Sequence, residues 1–153
     1  MQSFNVLPNW KFLFVWSIVF GGYSFLGLTE QARASLRFAG LNGWGSSTSY
    51  TLDQAISIPS SVTGSTLSFY LKTLTDETTT ATAYDTLKVQ AISGGVTTTL
   101  ATYSNLNKST GYVLKTLDLS SFKGKTVTLR FLGVEDSSLK TYFFVDDTSV
   151  ATS

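Results

Sequence analysis

At 153 residues the chain is long enough for one domain with its own core and short for two. Charged residues make up 14% of it and the formal net charge is +1, which gives no electrostatic case for nucleic acid or an anionic membrane as partner. It has no Cys and no His, which excludes disulfides, zinc–thiolate sites, thiol nucleophiles and Ser-His-Asp hydrolysis by this chain alone.

Residues 1–34 differ in character from the rest of the chain. Lys11 precedes an apolar run, Phe12–Leu28, and then Ala32-Arg33-Ala34. A charged start, an apolar stretch and a small-x-small site form the pattern of a secretory signal peptide or signal anchor. The same run, broken at Gly21-Gly22, also reads as a strand pair added to the fold. A membrane contact would run through residues 12–28 if they stay uncleaved. Few charges with abundant Thr, Ser, Gly and aromatics suit a secreted or cell-surface protein, with residues 35–153 as the domain.

From Ser35 onward no helical period is present. Ser35–Ala39 is a short strand running into the Gly- and Ser-rich turn GLNGWGSS. Leu52–Ile58 ends at Pro59, which a strand tolerates only at an end or an edge. Thr66–Leu74 sets Leu67, Phe69 and Leu71 on one face against Ser68, Tyr70 and Lys72. A polar loop, Thr75–Ala83, leads to Tyr84–Ala91, where Leu87, Val89 and Ala91 alternate with Lys88 and Gln90. Ser93-Gly94-Gly95 is a hairpin turn into Val96–Tyr103, and Tyr112–Leu119 is the next strand. The expected fold is all-β: a two-sheet antiparallel β-sandwich of jelly-roll type.

The chain's last hairpin joins Thr126–Gly133 to Thr141–Val150. Val127, Leu129 and Phe131 share one face of the first strand, and Phe143 and Val145 continue the pattern in the second. Asp146 and Asp147 then interrupt it. If Val150 packs inward, the parity changes across that pair, and a one-residue bulge accomplishes the change. Phe144 and Val150 share a parity, however, and the alternative puts them on one face. Asp146 is expected to be the inward-held acid, with Asp147 more exposed.

The series LDQAISIPSS, TLSFYLKT, YDTLKVQA, LATYSNLN, GKTVTLRFLG and FFVDDTSV resembles the accessory β-sandwich found after the catalytic domain of secreted bacterial peptidases, sedolisin-like or subtilisin-like. Such modules are related in fold to galactose-binding-like and carbohydrate-binding jelly rolls. The resemblance covers Leu36 to Val150 and includes no peptidase domain. It implies a non-catalytic module with a structural Ca²⁺ held by the C-terminal Asp-Asp and an acid near the N-terminus, where Glu30 is the candidate.

Hard cations take several oxygen ligands, which Asp146, Asp147, Glu135 and Asp136 can supply; Asp76, Glu77 and Asp85 around one loop are a second set. Nothing in the carboxylate spacing favours a glycosidase pair over turn chemistry. Aromatics available to stack on sugar are Trp44, Tyr50, Tyr70, Tyr84 and Tyr142. Two functions are consistent with these residues. One is a binding module for carbohydrate or a protein surface. The other is a structural subunit whose strand edges or N-terminal segment pair in a homo-oligomer or larger assembly.

Overall fold

The computed structural model describes residues 38–153. The apolar run Phe12–Leu28, and most of the short strand expected at Ser35–Ala39, lie outside them. The described residues form eight strands: β1 Ala39–Asn42, β2 Thr48–Ser57, β3 Ser65–Thr75, β4 Thr86–Ser93, β5 Val96–Ser104, β6 Val113–Asp118, β7 Thr126–Glu135 and β8 Thr141–Thr152. They make two four-stranded antiparallel sheets, β1-β8-β3-β6 and β2-β7-β4-β5, the strand order of a jelly roll.

The alternation read from the sequence decides what lies between the sheets. Leu67, Phe69 and Leu71 of β3 and Phe143 and Val145 of β8 face Leu87, Val89 and Ala91 of β4 and Val127, Leu129 and Phe131 of β7. Phe69 sits centrally, its ring meeting Phe131 edge-on at 5.1 Å and Tyr103 at 6.2 Å. Leu119 and Phe122 complete the buried cluster beyond the end of β6. The β4–β5 hairpin turns through Gly94 and Gly95, both at positive φ (57° and 79°), the two-residue turn whose twist matches its strands.

β2 begins at Thr48, four residues before the start expected at Leu52, because the register continues with Thr48 opposite Glu135. The run Thr48-Ser49-Tyr50-Thr51 is polar on an edge strand and gives no alternation to detect. Across the same pair, Arg130 grips Asp53 through Nε at 2.8 Å and Nη2 at 2.6 Å.

The parity change in β8 is real. Ser149 pairs with Ser68 and Asp146 with Tyr70, so β8 carries one residue more than β3 in this interval. Asp147 takes φ +47° there, and Val150 afterwards packs against the core on the same side as Phe143 and Val145. The expectation for Asp146 needs one correction. It is buried, 5% exposed, but it shares the parity of Phe144 and lies on the outer face of its sheet, away from the core. Its Oδ1 accepts from the Asp147 amide at 2.8 Å. Asp146→Ala is expected to lower stability by roughly 1–3 kcal/mol. Asp147→Gly should be nearly neutral, because glycine accepts the positive φ without strain. Urea denaturation of both variants checks this, and equal losses would reduce the bulge to an incidental kink.

Candidate functional site

The outer face of the β1-β8-β3-β6 sheet carries Tyr70 and Tyr142, two of the five aromatic candidates. In register across it, Tyr142 and Leu74 form one row, Gly40, Phe144 and Lys72 the next, and Asp146, Tyr70 and Leu114 a third. Asn42 pairs with Tyr142 through the backbone but turns its side chain toward Gly133 of β7. Tyr142 and Phe144 are stacked at 6.0 Å with rings nearly parallel, and Phe38 meets Phe144 edge-on at 5.2 Å. Tyr142 also lies flat over Gly43, where any Cβ would stand 2.2 Å from its ring. Ring and loop are therefore fitted to each other. Tyr112 belongs to the same neighbourhood: burial, with the charges of Asp146 and Asp147, pushes its phenol well above the ordinary range and keeps it a proton donor.

Trp44 follows Gly43 in the β1–β2 loop and is 56% exposed. Its indole is open to solvent, but its backbone is fixed. Asn42, Gly43 and Gly45 all take positive φ, which turns successive amides toward one point. At that point sits the carboxylate of Glu135, only 1% exposed. It accepts from Gly43 N at 3.2 Å, Trp44 N at 2.9 Å and Gly45 N at 3.0 Å. Glu135 thus holds a loop through backbone donors, a part the acidic pair Glu135-Asp136 did not reveal in sequence. Lys140 lies alongside Gly45, so a cation borders the same loop.

The remaining aromatic candidates separate. Tyr50 has the inward parity of Leu52 and Ile56 and packs against the core, which corrects its assignment as a stacking residue. Tyr84 is exposed, and stands beside Asp85 at the end of the β3–β4 loop. Trp44, Tyr142 and Tyr70 are the three that the fold places along one face and the loop bordering it.

The acids divide as well. Among the described residues, no group of three or more carboxylates gathers in a way that can hold a metal ion. Glu135 is taken up by the β1–β2 loop, while Asp146 lies four residues along β8 from Tyr142, about 13 Å at the strand rise. The second set is partly assembled. Asp85 is fully buried, and its Oδ1 accepts from the Asp136 amide at 2.9 Å. Desolvation first, then the charges of Asp85 and Asp136, raise the carboxyl pKa of Glu77 above the usual range. Asp136 joins this set, and Asp76 is exposed at its margin.

No protein-family model matches the chain, and comparison with curated proteins finds no match. Among solved structures it is similar to TmCBM61, a carbohydrate-binding module in complex with β-1,4-galactotriose. The two superpose with a TM-score of 0.58 over 82% of this chain and 77% of that one, at 10% sequence identity. The likeness establishes the all-β sandwich fold. No helix among the described residues is long and apolar enough to cross a membrane.

Proposed function

We propose that this chain is a non-catalytic, extracellular carbohydrate-binding β-sandwich, and that it takes a neutral oligosaccharide along Trp44, Tyr142 and Tyr70. The observation that carries this is Trp44: a large exposed ring on a loop that three amides and a buried carboxylate have already ordered. A rigid aromatic loses little conformational freedom on binding, so its contact area converts efficiently into affinity. Tyr142, locked between Gly43 and Phe144, extends the surface onto the sheet, and Lys72 and Lys140 offer donors to sugar hydroxyls. The sugar-bound module of the same fold supports the ligand class. A chain without His or Cys cannot build a Ser-His-Asp or thiol hydrolase site, and its Glu135 carboxylate is engaged by backbone amides.

The test is affinity electrophoresis and calorimetry of the full chain against a panel of neutral polysaccharides that includes β-1,4-galactan. At least one should bind, and Trp44→Ala should weaken it roughly tenfold or more. The melting temperature should stay unchanged, because the ring is exposed. Absence of binding across the panel, or parent-like affinity in both Trp44→Ala and Tyr142→Ala, refutes the reading. The strand-pairing alternative is favoured by Val113 and Leu114, exposed on edge strand β6. A dimer in solution that Leu114→Lys dissociates would support it.

A further inference from the structure

We infer that Glu77 and Asp85 hold a divalent cation, Ca²⁺, between the loop that joins β3 to β4 and the loop that joins β7 to β8. The two loops are already fastened together. Asp76 N donates to Lys140 O at 2.9 Å, Asp136 N donates to Asp85 Oδ1 at 2.9 Å, and the Thr75 and Thr141 hydroxyls meet at 2.8 Å. Two carboxylates are shut into this junction, Asp85 at 0% exposure and Glu77 at 7%.

Each leaves an oxygen unserved. Asp85 Oδ2 and Glu77 Oε1 are buried with no hydrogen-bond partner. Among the described residues no lysine or arginine pairs with Glu77, Asp85 or Asp136. The Ser138 hydroxyl, which also approaches Glu77, has a single proton and lies 2.9 Å from Asp136 Oδ1, so it cannot serve both acids. Donors are too few for the acceptors present. Buried polar atoms are ordinarily satisfied, and a buried like-charge pair is the most costly kind of exception. A cation meets both requirements at once.

The donor set selects its identity. All ligands available here are oxygen, and without His or Cys the chain offers nothing to a softer metal. Two carboxylates fall short of a close cluster of three, so the other positions go to loop carbonyls and water. Irregular ligand sets of this kind suit Ca²⁺ better than Mg²⁺, which demands near-ideal octahedral geometry. A low charge count places the dissociation constant near that of extracellular modules, about 10⁻⁴–10⁻³ M. This site is distinct from Asp146 and Asp147, and it does not depend on sugar binding.

The experiment is thermal melting and calorimetry of the chelator-treated full chain, titrated with Ca²⁺ or Mg²⁺ alone. At about 10 mM Ca²⁺ the melting temperature should rise by roughly 3–10 °C, with Mg²⁺ giving less. Glu77→Gln should abolish the rise, yet melt no lower than the parent in chelator, because it removes a buried repulsion. Asp146→Asn should keep the rise. Asp85→Asn endangers the Asp136 contact, so the Glu77 variant is the deciding one. A parent insensitive to Ca²⁺ overturns the inference. So does a rise that survives in Glu77→Gln, or one that Asp146→Asn abolishes.

Discussion

Glu135→Ala is expected to cost roughly 3–5 kcal/mol, out of proportion to a residue at a strand end. The substitution strands three part-buried amides that converge on one buried carboxylate. It also leaves Asn42, Gly43 and Gly45 in positive φ with nothing to hold them. The melting temperature should fall by about 10 °C or more, and sugar affinity should fall with it although Glu135 touches no ligand. Glu135→Gln, which keeps the shape and two lone pairs, should lose about half as much. Denaturant titration with a parallel binding assay measures both. A loss under about 1 kcal/mol with unchanged binding would mean that the loop is ordered by something else.

Phe69→Ala should be as damaging, about 3–5 kcal/mol, for an unrelated reason. Its ring is fully buried and spans the two sheets, meeting Phe131 of β7 edge-on. Truncation leaves a cavity that two hydrogen-bonded sheets cannot collapse to fill. Phe69→Leu, which retains most of the volume, should cost clearly less. Denaturant midpoints of the two variants check the order, and an Ala loss no larger than the Leu loss would remove Phe69 from the centre of the packing.

Much of the sheet interior was legible because alternation is a local signal. Val127, Leu129 and Phe131 are visible as an inner face without knowledge of any partner, and all three are buried. The bulge was legible only as one of two alternatives, since Val145 and Val150 need an extra residue between them to face one side whereas Phe144 and Val150 do not. Tyr50 misleads for the complementary reason: beside Thr48, Ser49 and Thr51 nothing marks its parity until Leu52 is reached. The candidate site was legible as residue types and illegible as an assembly. Asp85 and Asp136 lie 51 positions apart, and Gly43 and Glu135 lie 92 apart. Which acid meets a loop amide and which meets another acid depends on how loops converge at one end of the sandwich. Strand patterning leaves that order open.

The interleaved strand order has a consequence for how the molecule is made. In the β1-β8-β3-β6 sheet no two neighbours are consecutive in the chain, and β1 pairs with β8 alone. During synthesis β1 and β3 emerge early and wait for Thr141–Thr152 to leave the ribosome before either finds that neighbour. Only the β4–β5 hairpin can form from adjacent sequence: the hairpin expected of Thr126–Gly133 and Thr141–Val150 does not form, because β7 and β8 belong to different sheets. Such non-local wiring places folding in the range of roughly milliseconds to seconds rather than microseconds. Through that interval the apolar sides of β1 and β3 are uncovered, and a chaperone holding the nascent chain would meet those strands first.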